Sequence, residues 1–210
     1  MVRKFLLYMI AFVSGAVVLA LEIVAGRFLQ PTFGNTIEVW GNLIAVFLAG
    51  LSLGYYVGGH VADRLSNFFA FGVFLFVAAA LLATLPLYNA EMRDFVFGRI
   101  ELERVATIGS LWTSLALFLA PTTVLGMVSP YAVRLLADDP AKLGRQVGSL
   151  YALSTLGSIV GALGTTFFLV VQYTSSQMFV LFGAVEAALG LIAIGYGLFA
   201  PAREQEAPLK

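Results

Sequence analysis

Five stretches of the chain, residues 5–21, 39–59, 65–90, 105–133 and 146–185, contain no Asp, Glu, Lys or Arg. A membrane-crossing helix needs about 20 mostly apolar residues, because the hydrocarbon core is about 30 Å thick and a helix rises about 1.5 Å per residue. Each of the first four stretches fits one crossing. The last is 40 residues long, room for two, and the polar run Gln172, Tyr173, Thr174, Ser175, Ser176 and Gln177 marks a tight turn between them. The pattern predicts an all-α membrane protein with six transmembrane helices at about 5–28, 39–59, 67–90, 108–136, 147–171 and 178–199. A short polar tail follows over 201–210. Arg3 and Lys4 precede an apolar run, as in a signal peptide. That run is too long, however, and no small-residue cleavage site follows before Glu22 and Arg27, so the first helix is expected to be retained. Pro86, Pro121 and Pro130 are expected to kink helices 3 and 4.

Composition sharpens the picture by exclusion. The chain is 60% hydrophobic and 11% charged, whereas a soluble domain carries about 25% charged residues. Net charge is zero, which gives no footprint for nucleic acid. There is no Cys, hence no disulfide, thiolate nucleophile or thiolate metal site, and His60 alone cannot build a histidine metal cluster. No nucleophile–base pair and no cofactor loop is legible, so neither an enzyme nor a cofactor is expected. The length fits one domain over 1–200.

Basic residues set the expected orientation. With the N-terminus inside, Arg3, Lys4, Arg64, Arg134, Lys142, Arg145, Arg203 and Lys210 make eight on the inner side, against four outside at Arg27, Arg93, Arg99 and Arg104. Both termini are then cytoplasmic in an inner-membrane protein. The outer segment over about 91–107 mixes acids with Arg and is expected to lie at the interface. Trp40, Tyr55, Tyr56, Tyr131 and Tyr173 are expected in the aromatic belts.

The two halves of the chain match at an offset of 107. Gly41, Leu43, Ala45, Gly50 and Gly54 correspond to Gly148, Leu150, Ala152, Gly157 and Gly161. Ala25, Arg27 and Leu29 correspond to Ala132, Arg134 and Leu136, and Val73, Ala80 and Leu82 to Val180, Ala187 and Leu189. Three helices per half is an odd number, so the second half enters the membrane upside down, the inverted three-plus-three plan of many transporters. Small residues crowd helices 2 and 5, at Gly50, Ser52, Gly54, Gly58 and Gly59 and at Ser154, Gly157, Ser158, Gly161 and Gly164. They let backbones approach closely, for packing within the bundle first and for a dimer seam or solute path second.

Gly59-His60-Val61-Ala62-Asp63-Arg64 resembles the signature between helices 2 and 3 of major facilitator transporters, without its usual basic ending. A longer likeness covers most of the chain. Leu21-Glu22-Ile23-Val24-Ala25-Gly26-Arg27, Pro31, Phe33-Gly34, Val39-Trp40 and Phe47-Leu48-Ala49-Gly50-Leu51-Ser52-Leu53-Gly54-Tyr55 resemble the membrane part of the fused transporter-like spermidine synthases. Gly126-Met127-Val128-Ser129-Pro130, Gly144-Arg145 and Leu150-Tyr151-Ala152-Leu153-Ser154-Thr155-Leu156-Gly157-Ser158 extend it. The resemblance implies half of a major facilitator fold. It implies a synthase domain after the helices, of which no glycine-rich nucleotide loop is visible before Lys210.

Two acids fall within the predicted helices, Glu22 and Glu186, each placed about 10 Å in from the outer boundary at about 1.5 Å per residue. Intramembrane carboxylates face a bundle interior, a cavity or a partner. They are the candidates for a small cation, a proton or a polyamine, and the plainer alternative is that each pairs with an Arg or a neighbouring helix. Arg27 and Arg134 end helices 1 and 4 and are expected to snorkel. Asp63, Arg64 and Arg145 are expected to organise the cytoplasmic face. The favoured function is a half-size transporter that dimerises around a cationic, polyamine-like solute. The alternatives are a scaffold docking a separate soluble aminopropyltransferase-like partner, or a subunit of a larger membrane complex.

Overall fold

The structure is a computed structural model that describes residues 2–88, 98, 104–137 and 140–199. Among these, six helices are long and apolar enough to cross a membrane, and no strand occurs. They are α1 (Val2–Phe33), α2 (Ile37–Arg64), α3 (Phe68–Tyr88), α4 (Val105–Leu136), α5 (Leu143–Gln172) and α6 (Ser175–Phe199). The chain is a multi-pass membrane protein. Its N-terminal face holds the starts of α1, α3 and α5 and the ends of α2, α4 and α6. The expected interfacial segment over 91–107 lies largely outside the described residues, as does the tail over 201–210.

Most helices outrun their expected ends. α1 continues past Arg27 to Phe33, and α2 past the apolar stretch to Asp63 and Arg64. Charge-free stretches mark the hydrocarbon, whereas a helix continues while its backbone bonds do, its last charged side chains reaching for the interface. Pro86 does not kink α3 but sits in the 3₁₀ turn Leu85–Tyr88 that ends it. Pro121 and Pro130 lie within α4.

The connections are short and locally specified. α1 stops because Gly34 adopts φ 81°, which a glycine takes without strain, and its N–H donates to the Gln30 carbonyl at 2.9 Å. Asn67 caps α3, its Oδ1 accepting from the Ala70 N–H at 2.8 Å. The polar run at 172–177 divides as Tyr173 and Thr174 in the turn and a capping box that opens α6. The Thr174 N–H donates to Gln177 Oε1 at 2.9 Å, and the Gln177 N–H donates back to Thr174 Oγ1 at 3.3 Å.

The most extensive packing joins α2 to α4, α3 to α6 and α1 to α5. The small residues of α2 and α5 make the first and last of these approaches possible, and Gly72, Gly183 and Gly190 serve the α3–α6 contact. A Cβ built on Gly54 would lie 2.2 Å from the Thr123 carbonyl oxygen, and one built on Gly157 would lie 1.9 Å from that of Phe12. Only a hydrogen fits there. Tyr131, expected in an aromatic belt, is instead fully buried and stacked on Phe71 with ring centroids 5.1 Å apart. Its hydroxyl donates to the Leu65 carbonyl, which ties α4 to the α2–α3 turn.

Candidate functional site

A cavity of about 130 Å³ opens where α1, α2, α4 and α5 converge. Its walls carry hydroxyls on every helix: Ser14 on α1, Tyr55 on α2, Ser129 on α4, and Tyr151, Ser154, Thr155 and Ser158 on α5. On α5 these four fall at spacings of three and four residues, which makes one stripe of the helix polar. Some of them are already engaged: Ser158 Oγ donates to the Gly15 carbonyl at 2.9 Å, and Thr155 Oγ1 to the Tyr151 carbonyl at 2.9 Å. Tyr55 and Tyr151 line the cavity and remain 45% and 44% exposed, so they stand at its open side.

Glu186 lies behind one wall. It is fully buried, and Ser14 Oγ donates to its Oε2 at 3.2 Å while its Oε1 has no hydrogen-bond partner. Ser14 thus touches the cavity on one side and the acid on the other. α6 packs on α3, which has no titratable residue before Tyr88, and on α1. No arginine of the described chain is bonded to Glu186.

Glu22 is half-buried. Ser14 precedes Glu22 by eight residues, about 12 Å along the helix at about 1.5 Å per residue. Because Glu186 is level with Ser14, the two acids sit at different depths. Glu22 does follow Gly15 by seven residues and Val18 by four, so it continues the stripe of α1 that lines the cavity.

The basic candidates form two ties. Arg27 Nη1 donates to the Val170 carbonyl at 2.6 Å and to the Tyr173 carbonyl at 3.1 Å, fastening the end of α1 to the end of α5. At the N-terminal face, Arg134 Nε lies 3.2 Å from Asp63 Oδ1, fastening α4 to α2. Both cations also neutralise carbonyl-rich helix C-termini. Arg64 is exposed beside this pair, and Arg145 is exposed on the first turn of α5.

The hydroxyl stripe was readable only as packing, since Ser and Thr serve equally in close helix contacts; its spacing on α5 is the signal that separates the two. Among the described residues no group of three or more metal-ligating side chains occurs. Comparison with family models, curated proteins and solved structures finds no match. The family likeness therefore rests on the motifs quoted above.

Proposed function

We propose that this chain is half of a major-facilitator-like transporter, built from an inverted repeat and completed by a second copy around a small polar, cationic solute. The observation that carries the reading is the cavity. Its hydroxyls open onto a surface that would otherwise face lipid, where polar groups without partners are costly. At about 130 Å³ it is well below the ~300 Å³ at which ligand pockets begin, which suits one wall of a site. Only 11% of the apolar window of α5 is buried, against 56% for α4, so α5 leaves most of its surface for a partner.

What supports the repeat is the register of the contacts. Exchanging α1 with α4, α2 with α5 and α3 with α6 maps the three main pairings onto one another. At the offset of 107, Gly54 against Thr123 becomes Gly161 against Ala16, and Gly50 against Leu119 becomes Gly157 against Phe12; all four contacts occur. The tie from Arg27 to residue 170 becomes that from Arg134 to residue 63, which also occurs. Basic residues favour an N-terminal face that is cytoplasmic.

Glu22 supplies the negative charge on the cavity stripe, one turn beyond Val18. Purified chain in proteoliposomes is expected to carry radiolabelled spermidine faster than empty vesicles do. Glu22→Gln, which keeps the shape and removes the charge, is expected to slow that uptake by about tenfold or more, the loss of one charge-assisted contact. Wild-type uptake no faster than that of empty vesicles would sink the proposal.

A further inference from the structure

Glu186 and the solute cavity share one hydroxyl. Ser14 Oγ donates to Glu186 Oε2 at 3.2 Å, and the same side chain lines the cavity wall. The other carboxyl oxygen, Oε1, is buried without a hydrogen-bond partner. A carboxyl so placed is neutral only with a proton bound, and once charged it needs a cation close by. Among the described residues, none of the elements around it brings one to its level. Besides Glu186 itself, α6 holds only Tyr196 as a titratable group, and α3 holds none before Tyr88. On α1 none lies between Tyr8 and Glu22, on α4 none but Tyr131 before Arg134, and on α5 none but Tyr151 after Arg145. Arg27 and Arg134 are engaged towards opposite faces, with α5 carbonyls and with Asp63. The cation that can approach Glu186 is therefore one that enters the cavity.

We propose, resting on the transport reading above, that Glu186 carries the proton exchanged for the cationic solute and that Ser14 passes it. A cation in the cavity draws the carboxyl toward its charged form, because opposite charges attract strongly where water is scarce. The carboxyl proton then moves to Ser14 Oγ, the serine's own proton moves to water in the cavity, and the site is left with one proton fewer. When the solute departs, a proton returns by the same two transfers. Solute and proton thus exclude one another, and the coupling is reciprocal: lower pH weakens solute binding by the factor with which solute expels the proton.

The test uses the full chain in proteoliposomes with the membrane potential clamped by potassium and valinomycin, each measurement taken over empty vesicles. An interior one pH unit more acid than the outside is expected to raise radiolabelled spermidine accumulation about tenfold, the ratio that one-for-one exchange sets. Glu186→Gln keeps the shape of the side chain and a bond with Ser14 but holds no exchangeable acid proton. It is expected to lose the gradient effect while still exchanging labelled for unlabelled spermidine. Glu22→Gln slows uptake yet is expected to keep the effect. Should Glu186→Gln exchange nothing, Ser14→Ala cuts the link to the cavity and is expected to lose most of the effect. Wild-type accumulation unchanged by the gradient, with spermidine still exchanged, would overturn this inference and leave the transporter reading standing. No exchange by wild type would overturn both. A gradient effect that survives in Glu186→Gln, or in Ser14→Ala where that variant decides, would take the proton away from Glu186.

Discussion

Replacing Gly157 and Gly161 together by leucine is expected to detach α5 from α1 and leave little folded chain. A single added carbon at Gly157 would lie 1.9 Å from the Phe12 carbonyl oxygen, and one at Gly161 would lie 2.1 Å from that of Ala16. Both obstacles are backbone, which cannot rotate aside, so the helices must part. Even alanine at either site is expected to cost about 1–3 kcal/mol, the usual range for overpacking. Because Gly54 meets Thr123 in the matching position of the other half, Gly54→Ala is expected to cost about as much as Gly161→Ala. Gly148 has nothing within 4 Å of its built Cβ. There alanine is expected to be neutral or stabilising by up to about 1 kcal/mol through helix propensity. Unfolding in a detergent titration, followed by circular dichroism, measures all of these. A Gly148→Ala variant as damaged as Gly157→Ala would refute the close-approach argument.

The second large effect is expected at Glu186, with opposite signs for stability and function. The side chain is fully buried, one oxygen accepts a single bond from Ser14 and the other has no partner. An acid at helix centre costs about 2.5–3.5 kcal/mol on insertion scales, and one hydrogen bond returns about 1 kcal/mol. Glu186→Leu, of similar volume, is therefore expected to stabilise the bundle by about 1–3 kcal/mol. The same variant is expected to lose solute uptake, because it removes the acid that Ser14 links to the cavity. If the carboxyl were only a structural tie, the leucine variant would be less stable, and the same unfolding titration would show it.

The hydrophobic pattern placed all six crossings, because length and polarity decide what the bilayer admits. It misplaced several helix ends, since Asp63 and Arg64 interrupt an apolar run without interrupting the helix. The capping box at Thr174 and Gln177 was visible as a polar cluster, and its local bonds explain why the turn falls there. Tyr131 misled for a physical reason. A tyrosine near a helix end reads as an interfacial anchor, and only the carbonyl of Leu65 across the bundle reveals it as a buried tie. The site was legible in pieces. Glu186 stood out as an intramembrane acid, but its link to a cavity depends on Ser14, which is 172 residues away and ordinary in sequence.

The central claim is that the hydroxyl-lined cavity is one wall of a site closed by a second copy. It is tested most directly by cross-linking in native membranes, for which a chain without cysteine offers a clean background. Thr155→Cys places a thiol at the open side of the cavity, and Phe69→Cys places one on the exposed face of α3. A short bifunctional maleimide is expected to give a dimer of the 22.5 kDa chain with the first variant and none with the second. Cross-linking through Phe69→Cys alone, or capture of a different protein by Thr155→Cys in place of a second copy, would contradict it.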